Sequence, residues 1–201
     1  MDESLLREIE TCQRCDCVSA APYIPGYPHR RRNAEEAYRW KPADVKLLLV
    51  GESPPRRGEY FYLNPTPVFT AVADALCPDL DPLLEHGMLV QKLADSGVFL
   101  VDLAKCAVNY QGDVLDKDER DACLLECTEH FLRELDTLRP RTILPVLKRI
   151  RWILCSALQG TEWYGGALWQ PELPFPNYPD RRQEFVRGLK RVASSLGITV
   201  E

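Results

Sequence analysis

The chain lacks any apolar run approaching the roughly 20 residues that a membrane-spanning helix requires, so no helical anchor is expected in it. Its first stretch, Met1 to Glu10, is charged and has no apolar core of the kind a secretory signal peptide carries, which predicts a cytoplasmic protein with no membrane partner. Internal repeats and low-complexity tracts are missing too, and no linker suggests a second unit, so residues 1–201 are expected to form one domain and a monomer. A positive excess is also lacking. The formal net charge of −5 argues against a protein that coats nucleic acid over its whole surface.

Positive residues nevertheless gather locally, at His29-Arg30-Arg31-Arg32, Arg56-Arg57, Lys148-Arg149 with Arg151, and Arg181-Arg182. Such clusters either contact phosphates on one face or form ordinary solvated surface runs. With 201 residues and 45% hydrophobic content there is enough apolar material for one sizeable core.

Residues 1–15 read as a helix with Leu5, Leu6 and Ile9 on one face, and residues 19–44, rich in Pro, Tyr and Arg, as an irregular excursion. Val45 to Val50 is a continuous apolar strand ending at Gly51, the pattern of a strand buried on both faces. Residues 66–76 predict a helix through Val68, Phe69, Val72 and Leu76; Val98 to Leu103 predicts a second strand. A long amphipathic helix is expected over 117–138, ended by Pro140, then a strand at Thr142 to Val146, a helix near 147–158 and a last helix over 181–196. Strands alternating with helices imply an α/β fold, a three-layer α/β/α arrangement around a central, mainly parallel sheet. Ligands in such folds bind outside the carboxyl ends of the strands, which directs attention to the loops at 51–65, 102–112 and 173–182.

Eight cysteines in a chain expected in a reducing compartment favour metal or cluster ligation over disulfides. Cys12 and Cys15 form a C-x-x-C pair beside a helix end, Cys106 follows a strand, and Cys123 lies seventeen residues further on. Four thiolates suit tetrahedral zinc or a [4Fe–4S] cluster equally well. Cys17 and Cys127 are rival ligands, whereas Cys77 and Cys155 sit in apolar surroundings and read as small core residues.

The C-x-x-C pair, Leu-Leu-Leu-Val-Gly-Glu-Ser-Pro-Pro at 47–55, Val-Asp-Leu-Ala-Lys-Cys at 101–106 and then Cys123 together resemble the iron–sulfur uracil-DNA glycosylases of families four and five. Those proteins carry a strand followed by G-E-x-P-G, a strand followed by N-x-x-K-C, and a cysteine about sixteen residues on. The resemblance implies a [4Fe–4S] cluster held by Cys12, Cys15, Cys106 and Cys123, DNA as the partner, and hydrolysis of an N-glycosyl bond after a base is flipped into a pocket. It places Gly51, Glu52 and Ser53 on the base, with Phe61, from Tyr60-Phe61-Tyr62, stacking on it. Arg56, Arg57, Arg181 and Arg182 are expected to hold the DNA backbone at the pocket mouth, with Tyr178 as a wedge in the base stack.

The departures from the family pattern are specific. Asp102 stands where the family has an asparagine that reads uracil, and Phe175, in Pro174-Phe175-Pro176-Asn177, stands where it has the histidine of H-P-S. None of His29, His86 and His130 matches that place. The candidate catalytic groups are then Asp102, Glu52 and Asn177, with Glu59 and Arg181 behind them. An ionised Asp102 suits a base edge bearing an amino group, whereas a protonated Asp102 imitates asparagine; burial at a strand end is expected to raise its pKa.

Overall fold

A computed structural model describes residues 3–12, 30–55, 60–106, 117–166 and 173–199. Three strands, β1 (Leu47–Gly51), β2 (Val98–Asp102) and β3 (Thr142–Pro145), form a parallel sheet in the order β2-β1-β3. Leu47 pairs with Val98 and Gly51 with Asp102 on one side, and Leu47 pairs with Thr142 and Val50 with Pro145 on the other. Every residue of the three strands is buried, so both faces of the sheet are covered and the continuous apolar runs are explained.

The helices are α1 (Glu3–Thr11), α2 (Arg30–Arg39), α3 (Pro67–Leu76), α4 (His86–Asp95), α5 (Lys117–Glu126), α6 (Thr128–Leu138), α7 (Arg151–Leu158), α8 (Trp163–Gly166) and α9 (Pro179–Ser195). α3 packs on α9, α1 on α2, α4 on β2, and α5 and α6 on α7. α3 begins where the sequence allows: Thr66 accepts a hydrogen bond from the Phe69 amide at 3.1 Å, and Pro67 fills the first helical position, where a missing N–H costs nothing. The flanking helices and parallel sheet agree with the α/β reading.

Three expectations about elements need correction. The excursion at 19–44 contains α2, whose Arg30–Arg39 sequence is nearly all charged or small and shows only a narrow apolar face through Ala34 and Ala37. α4 lies in a segment for which no helix was expected; it has no capping side chain and carries Gly87 in its first turn. The helix expected over 117–138 is two, broken at Cys127, next to which the Thr128 hydroxyl donates to the Leu125 carbonyl at 2.6 Å and competes with the helical ladder.

β2 is an edge strand among the described residues, and its exposed backbone is satisfied from outside the sheet. The Tyr62 hydroxyl donates to the Leu100 carbonyl at 3.0 Å and accepts from the Leu100 amide at 2.8 Å. Beyond the strands, the ladder runs on: the Leu103 amide donates to the Gly51 carbonyl and the Ala104 amide to the Glu52 carbonyl, both at 2.9 Å. Those two bonds hold the chain after β1 against the chain after β2, and the site is built on them.

Candidate functional site

A cavity of about 360 Å³ opens at the carboxyl ends of all three strands. β1 and its continuation supply Gly51, Glu52, Ser53 and Pro55; β2 supplies Leu100 and Asp102; the chain after β3 supplies Val146 and Leu147. Because β1 is flanked by β2 on one side and β3 on the other, this is the point where successive connections diverge, the place where open parallel sheets bind ligands. Tyr60 and Phe61 form an aromatic wall, and Phe175 closes another side. The volume falls in the range of small-molecule sites, roughly 300 to 1,000 Å³.

Asp102 and Gly51 are fitted to one another. They are register partners, and a Cβ on residue 51 would lie 2.2 Å from Asp102 Oδ1, so the carboxyl group occupies the space that any other residue at 51 would need. Burial pushes the Asp102 pKa up to about 7, against the opposing pull of Lys105 and with smaller help from the charges of Glu134 and Glu52. The expected rise is therefore present. Lys105 approaches Asp102 through the backbone, donating from Nζ to its carbonyl at 2.6 Å, while its charge pairs with Glu134. Glu134 in turn accepts from the Tyr38 hydroxyl at 3.3 Å. The pair is buried, and desolvation raises the Glu134 pKa in spite of Lys105.

Glu52 faces a second charged group. Its Oε1 lies 3.0 Å from Arg120 Nε and its Oε2 3.6 Å from Arg149 Nε. Arg149 also reaches Asp121 at 2.6 Å, and Lys117 reaches the other Asp121 oxygen at 3.3 Å. Burial still raises the Glu52 pKa, with Arg120 opposing. The two contacts to Glu52 are pairings of charge without aligned hydrogen bonds, since the Oε1 and both arginine Nε atoms lack such a partner. Ser53 Oγ is likewise buried, with no hydrogen-bond partner among the described residues.

Phe61 meets Phe69 edge-on, with ring centroids 5.1 Å apart, and His86 lies against Phe69 at 4.3 Å. His86 Nε2 is 3.0 Å from the Phe61 carbonyl, an acceptor, so that nitrogen carries the hydrogen and fixes the backbone of the wall.

The structure thus brings Gly51, Glu52, Ser53, Phe61 and Asp102 together around one cavity. It does not bring Asn177 there. Asn177 is exposed, and its backbone N–H donates to the Phe175 carbonyl at 2.9 Å, a turn that leaves Phe175 in the lining and Asn177 outside it. Arg182 is also not available as a phosphate contact: its guanidinium is held by Asp74 at 2.7 Å and by the Thr70 hydroxyl at 2.9 Å, which ties α9 to α3. Arg181 lies over the Tyr178 ring at 5.4 Å, and Tyr178 is exposed. Arg56, Arg57 and Glu59 lie outside the described residues.

Of the thiols, Cys106, Cys123 and Cys127 are buried and Cys12 is half-buried, while Cys15 and Cys17 lie outside the described residues. Cys12, Cys106 and Cys123 come from the end of α1, the chain after β2, and α5, and as thiol donors they suit an iron–sulfur group. Among the described residues no three His, Cys, Asp or Glu side chains gather into a metal-holding group. Cys77 is buried, which pushes its thiol pKa up to about 11 and suits a core residue.

Sequence reading missed Arg120, Glu134 and Tyr38. A signal for Glu134 was present: it occurs among Phe131, Leu135 and Leu138 on the buried face of α6, where a carboxylate needs a buried cation. No curated protein matches this chain. A family model, that of the Uracil DNA glycosylase superfamily, matches residues 39–170, roughly two thirds of the sequence, from the end of α2 past α8. The matched span includes the whole sheet and the carboxyl-end cavity apart from Phe175, and the chain belongs to the uracil DNA glycosylase superfamily.

Proposed function

We propose that this protein is a DNA base glycosylase of base excision repair, which takes uracil or a related modified base into the carboxyl-end cavity and hydrolyses its N-glycosidic bond. The observation that supports this reading is the Asp102 carboxyl group seated over Gly51, in the same cavity lining as the aromatic wall of Tyr60 and Phe61. A flipped base needs a flat apolar face to lie on and a polar edge reader at its rim. Protonated, Asp102 donates one O–H to a base carbonyl and accepts from a ring N–H; ionised, it accepts from an exocyclic amino group. The departing base carries negative charge, so the protonated form also donates where charge develops. Glu52, engaged by Arg120 and Arg149, keeps the turn after β1 in place and contributes a fixed charge beside the base.

Phe175 favours a second reading. It lines the cavity where a donor to the departing base would act, and its ring offers none. Losing one such donor lowers the rate by about a hundredfold to a thousandfold. A catalytically weak relative, which holds damaged or single-stranded DNA without cleaving it, has this composition. A panel of end-labelled oligonucleotides, each with one altered base, separates the two: alkali-sensitive breaks at one or more altered bases support excision. Retention of those oligonucleotides with no abasic site at any of them supports binding alone. Neither binding nor breaks on the whole panel removes both.

The reading includes a [4Fe–4S] cluster held by Cys12, Cys15, Cys106 and Cys123. Such a cluster would tie α1, the chain after β2, and α5 together through thiolate bonds.

A further inference from the structure

The segment that follows β3 is basic, exposes Lys148 and Trp152, and starts at the cavity wall. Val146 and Leu147 line the cavity; Lys148, exposed, begins a single 3₁₀ turn, and α7 starts at Arg151. Because α7 leaves from the carboxyl end of β3, its first residues stand at the end of the sheet that carries the cavity. Trp152, the second residue of α7, is 49% exposed. From Pro145 to Thr161 the sequence has three cations, Lys148, Arg149 and Arg151, and no acid, although the chain as a whole is acidic. Arg149 is engaged with Glu52 and Asp121, so it anchors the segment instead of facing solvent.

An indole half-open to water leaves a flat apolar face that a nucleobase can cover by stacking. We propose that Trp152 is a stacking platform for an unpaired base next to the one in the cavity, with Lys148 taking a neighbouring phosphate. The proposal rests on the glycosylase reading and adds a contact to it on the β3 side of the cavity. A platform of this kind tolerates any base, since every base has a π face, while the cation supplies the salt-dependent part. Tyr178 and Arg181, also exposed, follow Phe175 in the chain, so the platform has a counterpart on the Phe175 side of the same cavity.

The test measures binding of fluorescein-labelled oligothymidine, which offers no excisable base, at several salt concentrations. Trp152→Ala should weaken binding about tenfold with an unchanged salt slope, and Trp152→Phe should recover most of the loss. Lys148→Ala should instead make the slope shallower by about one unit. Thermal melts of all three variants should match the parent, because both side chains are exposed; if Trp152→Ala melts early, Trp152→Tyr and Trp152→Phe carry the comparison. Parental affinity in Trp152→Ala, or a Trp152→Phe protein as weak as Trp152→Ala, overturns the platform. Base excision by the parent on the altered-base panel is scored separately, so a failed platform and a failed glycosylase reading give different results. No binding of oligothymidine by the parent at low salt overturns the platform directly.

Discussion

Asp102 has an ordinary carboxyl pKa of 3.8 in the unfolded chain and one raised to about 7 in the folded protein, chiefly by burial. The folded state therefore holds the proton more tightly. Its contribution to stability is complete below about pH 4 and is lost as pH rises towards 7, because the folded protein must then carry a buried carboxylate. Asp102→Asn removes that charge and keeps the shape. It should match the parent at pH 4 and exceed it at pH 8 by about 2 to 4 kcal/mol in denaturant unfolding. Under the proposed glycosylase function the same titration would govern recognition: uracil excision by the parent should rise as pH falls from about 8 to about 6, and Asp102→Asn should flatten that profile and improve uracil excision. A variant with parental stability at both pH values and an unaltered profile would place Asp102 outside base recognition.

At the scale of elements, the sheet depends on one phenol. Tyr62 is buried, burial raises its pKa, and its hydroxyl serves both backbone groups of Leu100 on the outer edge of β2. Tyr62→Phe leaves an N–H and a C=O buried without partners at a strand that lines the cavity, and should lower stability by about 2 to 4 kcal/mol without changing the denaturant slope. A loss below about 0.5 kcal/mol would mean that water reaches that edge and replaces the hydroxyl. The strands themselves were legible because each is a continuous apolar run; the end of β1 at Gly51 was read directly, while β2 and β3 end one residue before the Leu103 and Val146 expected. α2 was not, because the helix buries mostly small residues, Ala34 and Ala37, whose burial leaves little trace in a hydrophobic pattern. The break at Cys127 was also hidden, since Leu124, Phe131, Leu135 and Leu138 keep a helical period across it.

At the scale of the molecule, the proposed cluster links parts of the chain far apart in sequence, so its loss should be felt as a loss of fold. Anaerobically prepared protein should contain about four iron atoms with broad absorbance near 400 nm, and Cys106→Ala should bleach it and lower its melting temperature. Cys127→Ala should keep its iron while Cys123→Ala loses it. Full colour and normal melting in Cys106→Ala would remove that residue from the ligand set.

The sequence by itself determined the parallel α/β frame, the loops in which a site could form, and the motif order that identifies the superfamily, since each depends on local periodicity or fixed spacing. Gly51 was legible as a strand end and Asp102 as a residue close to the end of the next strand. That they fit one against the other required the register of β1 with β2. Where the three candidate side chains lie relative to the cavity was also tertiary. Glu52 lines the cavity while engaged by arginines on α5 and after β3, Asp102 lines it over Gly51, and Asn177 lies outside the lining. Charge pairing and burial act through space between residues far apart in the chain, so the state of a carboxyl group depends on neighbours that only folding supplies.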